Sequence, residues 1–232
     1  MIFKNWEPIY KEIISDFSFS EHNDMISSEL LNSLLQKHPN FISLSSLSTL
    51  ISNKTVVIIG AGSQVSEIIK SHREIIEENI CITADGATTA LLKQNIIPEI
   101  IVTDLDGNIK DQIYANKKGS ILVVHAHGDN IQTIRKVVPI IPKAISGTIQ
   151  SDPLSYNYVS NIGGFTDGDR SVFLAEHFKA KSIYLIGFDF HGPIGKFSCP
   201  KNKNLDKKRK KLLWAEKLIS LINKNNYIHF LE

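Results

Sequence analysis

Short apolar runs that alternate with longer mixed segments constrain the fold of this chain more than any other feature. From Thr55 onward, six runs are rich in β-branched and aromatic residues and mostly apolar at consecutive positions: TVVIIG, ICITAD, IIVTDLD, SILVVHA, KSIYLIGFD and YIHFLE. Such runs are typical of strands that are buried on both faces of a parallel sheet. The segments between them, among them 64–78, 130–138 and 170–179, are long enough for crossover helices. We therefore predict an α/β fold in which helices flank a mostly parallel sheet.

The N-terminal segment follows a different pattern. Residues 1–52 contain no clear strand, and within SSELLNSLLQKH the leucines have helical spacing before Pro39 ends the run. We predict a small helical N-terminal region over residues 1–52 and an α/β domain over residues 53–232.

Length and composition narrow the classes of function. The chain of 232 residues is long enough for a large core, and its formal net charge of +2 gives no reason to expect nucleic acid as a partner. Cys81 and Cys199 form neither a disulfide framework nor a metal knuckle. Charges and a proline interrupt the N-terminal segment, unlike a signal peptide, and no apolar run is long enough to span a bilayer. We expect a cytoplasmic protein that does not cross a membrane.

Glycines and carboxylates follow the strand candidates at their carboxyl ends, where ligands bind in open α/β sheets. The most informative of these ends is PEIIVTDLDGN, in which Asp104 and Asp106 are two residues apart. In an extended chain both carboxylates would point to the same side, and paired carboxylates suit Mg²⁺. The alternative is that Asp106 begins a turn with Gly107 and Asn108 while Asp104 caps nearby backbone.

The turn after the first strand candidate is rich in glycine. Gly60, Gly62 and Ser63 lie where backbone N–H groups could contact a phosphate or nucleotide, although an ordinary tight turn explains them as well. Val65 replaces the third glycine of the dinucleotide-binding fingerprint, and no P-loop motif occurs.

The stretch VVHAHGDN ends the fourth strand candidate. We interpret His125 and His127 as polar residues that line the cleft. We interpret Asp129 as a ligand that binds either a metal ion or the phosphate side of the substrate. The alternatives are a core histidine and a helix N-cap at Asp129 or Asn130. A zinc site is disfavoured, because no third ligand has a diagnostic spacing.

The stretch NIGGFTDGDR precedes a helix candidate. Gly163 and Gly164 can bring backbone close to a ligand, and Asp167 or the preceding threonine can cap the helix. Arg170 lies near a helix N-terminus, which favours anions, so it requires an acidic partner or a bound phosphate.

A lysine-rich segment connects the sixth strand candidate to a C-terminal helix. Most of its lysines are expected to form a solvated face. We single out Lys196, which follows Gly195 soon after Asp189, as a cation that neutralises phosphate.

In this order, the blocks ADGAT, PEIIVTDLDG, HAHGDN, GGFTDGDR and GFDF…GKFS resemble the archaeal-type 6-hydroxymethyl-7,8-dihydropterin pyrophosphokinase family over residues 53–232. The family is similar to the Rossmann-like catalytic domain of thiamin pyrophosphokinases. There, ADGA stands where DGGA is expected, TDLDG where GDFDS is expected, HGDN near a DxTD segment and GGFTDGD at GGRxDH. The last block lacks the arginine and histidine of the thiamin pattern, which argues against thiamin as the substrate.

The resemblance implies a Mg²⁺-dependent transfer of diphosphate from ATP to the hydroxymethyl group of a reduced pterin, with release of AMP. It implies that Asp104 and Asp106 hold Mg²⁺, with Asp85 and Asp129 as further ligands. Arg170 and Lys196 would neutralise phosphate, and Asp167 or Asp169 would orient the substrate. Nucleotide or pterin contacts are expected at these positions: Gly60, Gly62, Ser63, Asp85, Gly86, His127, Asn130, Gly163 and Gly164.

The resemblance also suggests a homodimer. The alternative functions are a thiamin pyrophosphokinase, a sugar-nucleotide glycosyltransferase that uses Asp104 and Asp106 as a DxD motif, and a non-catalytic module that binds a nucleotide or pterin.

Overall fold

The structure is a computed structural model that describes residues 3–198, 204–223 and 226–232. Within these residues, seven strands form one sheet in the order β5-β4-β3-β2-β1-β6-β7, and every neighbouring pair is parallel. The predicted α/β fold is confirmed. The strands are β1 Thr55–Ile59, β2 Ile80–Ala84, β3 Ile100–Thr103, β4 Ile121–Ala126, β5 Ile145–Ile149, β6 Ser182–Ile186 and β7 Ile228–Leu231.

Helices cover both faces of the sheet, which explains why the strand sequences are apolar at consecutive positions. In β1, Val56 and Ile58 pack into one apolar cluster, whereas Val57 and Ile59 pack into another. Successive side chains of a strand point to opposite faces, so a strand that is buried on both faces needs apolar residues at every position.

The helices of the described part follow the expected alternation with the strands. Short 3₁₀ turns precede α3 at Leu44–Leu47 and follow α8 at Val138–Ile140. The α-helices are α1 Phe3–Phe17, α2 Glu21–Gln36, α3 Ser48–Ile51, α4 Val65–Ser71, α5 Arg73–Glu77, α6 Ala87–Leu92, α7 Ile109–Lys117, α8 Ile131–Val137, α9 Asp167–His177 and α10 Leu205–Ile222.

Strand β5 is the one described strand that the apolar runs do not predict. Its sequence, ISGTI, has Gly147 at the centre and small polar residues on either side, so it lacks a continuous apolar run. The glycine is required by packing, because a Cβ at Gly147 would lie 2.4 Å from a methyl carbon of Leu35 on α2. Close contact with α2 therefore accounts for the glycine that interrupts this strand.

The N-terminal helices pack against the α/β part of the chain. Helix α2 contacts β4, β5 and α8. Helix α1 is joined to α10 by Asp16, whose carboxylate accepts a bond of 2.7 Å from Trp214 Nε1 and lies 2.6 Å from Lys210 Nζ. The division into two regions at residues 52 and 53 stays a prediction, although β1 begins only at Thr55.

The strand order creates a crevice at one edge of the sheet. The chain proceeds from β1 through β5 in one direction and then returns to place β6 on the other side of β1. Connections therefore leave the carboxyl ends of β1 and β6 in opposite directions. The crevice between two such strand ends is where open α/β sheets bind ligands. None of the described helices is long and apolar enough to cross a bilayer.

Candidate active site

A cavity of about 450 Å³ lies over the carboxyl ends of the strands. Its wall includes residues that follow β1, β2, β3, β5 and β6, residues of β4 and its following loop, and the beginning of α9. The link between α1 and α2 and one face of α10 complete the enclosure. Both the N-terminal region and the C-terminal helix therefore contribute to the cavity.

Three carboxylates converge in this cavity. Asp85 after β2, Asp104 after β3 and Asp167 at the start of α9 each have a carboxylate oxygen within 4.8 Å of the other two. Burial first, and then the negative charge of Asp104, raises the pKa of Asp167 well above its usual value. A divalent cation is the usual way to offset such repulsion between carboxylates.

Asp85 is held rigidly by donors from β3 and α7. Its Oδ1 accepts bonds of 2.6 Å from Thr103 Oγ1, 2.7 Å from Gln112 Nε2 and 3.3 Å from the Gly107 N–H group. Its backbone has a φ of +39°, a region that is uncommon for a non-glycine residue. Burial first, and then the charges of Asp104 and Asp106, raises the pKa of Asp85 to about 7.

The DLDG segment is a turn, not the end of an extended strand. Strand β3 ends at Thr103, and Leu105 has a φ of +66°. The Asp106 N–H group donates to Asp104 Oδ1 at 3.2 Å, as the alternative interpretation of the motif predicts. The expectation of two carboxylates on one face of a strand is therefore wrong. Asp104 joins the cluster through the turn, while Asp106 is exposed and acts on Asp85 and Asp167 through its charge.

His127 fixes the orientation of Asp104. Its Nε2 lies 3.2 Å from Asp104 Oδ2, and its Nδ1 accepts a bond of 3.2 Å from the Asp129 N–H group. Because Nδ1 accepts, Nε2 carries the proton and donates to the carboxylate. The Asp129 carboxylate is exposed and lies outside the three-carboxylate cluster. Its predicted role as a metal ligand stays a prediction.

Asn130 joins three elements below this loop. Its Nδ2 donates to the carbonyl oxygens of Asp104 and His125, at 2.8 and 2.7 Å. Its Oδ1 accepts from the His127 N–H group at 3.0 Å and from Ser27 Oγ on α2 at 3.3 Å. Asn130 lines the cavity but is 5% exposed, so its described contacts support the loop.

The two aspartates of TDGD have different roles in the structure. Asp169 is fully buried and forms a capping box, in which it accepts hydrogen bonds from the N–H and hydroxyl groups of Thr166. Asp167 instead joins the carboxylate cluster. The Thr166-x-x-Asp169 spacing is a known capping signal, so the sequence itself could have separated the two aspartates.

Arg170 is a buried partner of this segment. Its guanidinium donates to Asp167 Oδ1 at 3.2 Å and to the carbonyl oxygens of Gly164 and Phe165, at 3.2 and 3.0 Å, and the residue is 1% exposed. These contacts supply the acidic partner that its position near a helix N-terminus requires. A direct contact with phosphate stays a prediction.

The glycines of GGFTDGDR pack inside the protein. Gly163 and Gly164 have φ values of +82° and +87°, and neither lies in the cavity wall. A Cβ at Gly164 would lie 2.5 Å from the Arg170 Cα atom. The described contacts thus favour a packing role over a close approach to a ligand.

The glycine turns after β1 and β6 lie against each other. The Gly62 N–H group donates to the Gly187 carbonyl oxygen at 2.8 Å, and a Cβ at Gly60 or Gly62 would lie 2.8 or 2.7 Å from that oxygen. Both glycines line the cavity, but Ser63 does not.

The 193–198 loop covers Gly86, where a Cβ would lie against the Phe197 carbonyl oxygen. Lys196 is exposed outside the cavity wall, with its Nζ atom 5.1 Å from the centre of the Phe197 ring.

Lys211 on α10 is a candidate that the sequence analysis missed. It is half-buried in the cavity wall, and its Nζ atom lies 5.4 Å from the centre of the Phe165 ring and 5.8 Å from that of Phe19. Burial lowers the pKa of Lys211, whereas the charges of Asp104 and Asp167 act in the opposite direction. The lysine therefore places a positive charge in the electric field of the carboxylates.

Comparison with known proteins identifies the family. The family model described as 6-hydroxymethylpterin diphosphokinase MptE-like matches residues 32–194 of this chain. This chain belongs to that family.

Three curated relatives of this chain are each named 6-hydroxymethyl-7,8-dihydropterin pyrophosphokinase. The protein from Methanocaldococcus jannaschii is 44% identical over the whole of both chains. The protein from Pyrococcus furiosus is 39% identical over 100% of this chain and 99% of its own. The protein from Methanothermobacter thermautotrophicus is 38% identical over 95% of this chain and 94% of its own.

Among solved structures, the MAf glycosyltransferase from Magnetospirillum magneticum AMB-1 is 13% identical. Its TM-score is 0.46, over 84% of this chain and 35% of that chain. A likeness this weak carries no argument about function.

Proposed function

We propose that this chain transfers a diphosphate group from ATP to the hydroxymethyl group of 6-hydroxymethyl-7,8-dihydropterin. The observation that carries the proposal is full-length similarity, at 38 to 44% identity, to three relatives that are named for this activity. The hydroxymethyl oxygen attacks the β-phosphorus of ATP, the bond from the β-phosphorus to the oxygen of AMP breaks, and AMP and a proton are released. The cavity supports this chemistry, because phosphoryl transfer requires mainly positioning and charge stabilisation.

The carboxylate cluster fits Mg²⁺. Asp85, Asp104 and Asp167 offer three oxygen ligands close together, and burial first, followed by repulsion between the carboxylates, raises the pKa of Asp85 and Asp167. Hard divalent cations prefer such oxygens. When bound, Mg²⁺ would neutralise phosphate charge and help to orient the phosphates. Asp106 is near enough to contribute charge, and dependence on Mg²⁺ is part of the proposal.

Residues around the cluster have distinct parts in this reaction. The Nε2–H group of His127 holds Asp104 in one orientation. Lys211 supplies positive charge for the phosphate oxygens, because it lies in the cavity wall and is acted on by the charges of Asp104 and Asp167. The enclosure formed by α10 and the α1–α2 link limits the access of water, which would otherwise compete with the pterin hydroxyl group.

An assay of AMP release tests the proposal. Purified protein is incubated with ATP, Mg²⁺ and 6-hydroxymethyl-7,8-dihydropterin, beside controls with thiamin and with no acceptor. We expect AMP only with the pterin, and only with the divalent cation present. AMP formed with thiamin would change the substrate, and ADP would indicate a simple kinase.

Two further measurements, one with a sugar nucleotide and one of thermal stability, separate the remaining alternatives. Hydrolysis or transfer from a sugar nucleotide, with no AMP from ATP, would favour a glycosyltransferase. Thermal stabilisation by ATP or the pterin without turnover would indicate a binding module. The homodimer, the cytoplasmic location and the absence of nucleic acid as a partner stay predictions from the sequence.

A further inference from the structure

One wall of the cavity contains a buried polar atom that the proposed chemistry does not use. His125 in β4 is 2% exposed, and its Nε2 has no hydrogen-bond partner among the described residues. Its Nδ1 lies 3.1 Å from Thr148 Oγ1 in β5. Burial first, and then the charge of Arg170, holds the pKa of His125 well below its usual value, so the ring is neutral. A buried, unpaired nitrogen in a cavity wall indicates a partner that the protein itself does not supply.

Gln150, which directly follows β5, lies on the same wall. It is near enough to favour the charged form of His125, although no hydrogen bond of normal geometry joins the two side chains. Its Nε2 donates to Asp24 Oδ2 at 2.7 Å, so its Oε1 is the atom that faces His125, outside the geometry of a normal hydrogen bond. The Trp6 indole also donates to the Gln150 carbonyl oxygen at 3.1 Å, which fixes the backbone.

Asp24 on α2 determines which way the Gln150 amide faces. Its carboxylate also accepts bonds of 2.7 Å from Tyr10 Oη and from the Gly128 N–H group. Burial first, and then the charge of Asp24, raises the pKa of Tyr10 above its usual value, so its hydroxyl group keeps the proton and donates. Asp24 therefore acts as an acceptor, and the amide must turn Nε2 toward it, which leaves Oε1, an acceptor, on the side of His125.

The sheet order assigns this wall to the acceptor and not to the nucleoside. Attack on the β-phosphorus places the incoming hydroxyl group and the leaving AMP roughly in line on opposite sides. Asp85 and Asp104 follow the central strands β2 and β3, with β4 and β5 on one side and β1 and β6 on the other. The crevice between β1 and β6 is the expected position of a nucleoside. The enclosed wall at β4 and β5 is then left for the pterin.

We propose that His125 Nε2 and Gln150 Oε1 bind the lactam edge of the pterin ring and select it as the acceptor. The proposal assigns the proton of His125 to Nε2, so that Thr148 Oγ1 donates to Nδ1 and Nε2 donates to the ring carbonyl oxygen. Gln150 Oε1 accepts from the adjacent ring N–H group. This inference rests on the proposed function, because it assigns the second substrate of that reaction.

Substitutions that move single atoms test the assignment. H125N keeps a polar atom near the position of Nδ1, and so the bond to Thr148, but removes Nε2. H125Q keeps a polar atom near the position of Nε2. Q150M keeps the length of the side chain and removes the amide. S146A, also in β5, removes a buried hydroxyl group that has no described partner and lies outside the cavity wall, so it is the matched control.

Two measurements are made for each variant: KM for the pterin and for ATP, and the Kd of the pterin without ATP from its fluorescence. We expect H125N and Q150M to raise both pterin constants about tenfold, with KM for ATP changed less than twofold, and H125Q to recover part of the loss. An unchanged pterin Kd in both H125N and Q150M, or a larger effect on ATP, would overturn the assignment. Circular dichroism and thermal unfolding identify a variant that fails to fold, and the remaining variants then decide.

The binding measurement separates this inference from the proposed function. If the wild-type protein binds the pterin but forms no AMP, the proposed function fails and the Kd values still test the wall. If the wild-type protein does not bind the pterin, both are overturned.

Discussion

The two sides of the cavity are constructed by opposite means. On the side of β4 and β5, side chains form a continuous polar network from Tyr10 through Asp24 to Gln150. On the side of β1 and β6, the turns meet through backbone atoms, and side chains are absent at Gly60, Gly62 and Gly187 because each Cβ would lie within 2.8 Å of a facing carbonyl oxygen. The comparison teaches that the first side can be altered one hydrogen bond at a time, whereas the second tolerates almost no added atom.

The carboxylate cluster of Asp85, Asp104 and Asp167 provides the strongest test, because the proposed reaction depends on it whichever side binds each substrate. We expect D104N to lower kcat at least about a hundredfold, because it removes a charged oxygen from this cluster. D152N, a matched change in an exposed carboxylate outside the cavity wall, should lower kcat by less than about threefold. Steady-state AMP release measures both. Equal losses in the two variants would show that the cluster is wrongly assigned.

The next test concerns Lys211, which α10 places in the cavity wall. K211M should lower kcat about 10- to 100-fold, as expected for the loss of a charged contact to phosphate. The adjacent K210M is the control, because Lys210 is exposed and pairs with Asp16 on α1. It should change both kcat and the free energy of unfolding little, because an exposed ion pair contributes little to stability. If K210M were the more damaging to turnover, the role of Lys211 would have to be abandoned.

A single methyl group tests the side of β1 and β6. G62A places a Cβ atom 2.7 Å from the Gly187 carbonyl oxygen, so the two turns must separate. We expect a loss of about 1 to 3 kcal/mol in unfolding free energy. We also expect G62A to raise KM for ATP more than it raises KM for the pterin. Chemical denaturation and steady-state kinetics measure the two effects, with S63A as the control outside the cavity wall. A normal KM for ATP would contradict the placement of the nucleoside at this crevice.

The smallest expected effect is a pH dependence of stability in the absence of divalent cations. The pKa of Asp85 is about 7 in the folded protein, above the value near 4 expected when unfolded. The folded state therefore binds more protons between these values, and its stability decreases as pH rises. From pH 6 to 7 the loss should be about 1 kcal/mol larger in the wild type than in D85N. Denaturation in EDTA measures this, and parallel curves for the two proteins would refute it.

The strand ends could be predicted from the sequence because their signal is local. An apolar run followed by an aspartate or glycine identifies a buried strand and its carboxyl end, and this pattern predicts the positions of Asp85 and Asp104. The membership of Asp167 in the cluster depends on the path of the chain from β5 to α9, where residues 150–166 contain no helix or named strand. No local pattern determines where such a segment places the aspartate that follows it.

Lys211 illustrates a second limit. Within DKKRKK every cation has the same local chemistry, and only the packing of α10 separates Lys211 in the cavity wall from Lys210 beside Asp16. The same holds for Gln150, whose orientation is determined by Asp24, a residue that is distant in sequence. Contacts between residues that are distant in sequence produce no periodic pattern, so the sequence alone does not predict them.

The contact between α1 and α10 has a consequence for synthesis on the ribosome. Translation proceeds from the N-terminus, so Asp85, Asp104 and Asp167 are synthesised before Lys211. The contacts between α1 and α10 form only after nearly the whole chain has been made. A nascent chain that stalls before α10 would present the carboxylates without the lysine that faces them. Its ability to bind a nucleotide could then appear earlier than its ability to turn one over, and the last helix would act as the final assembly step.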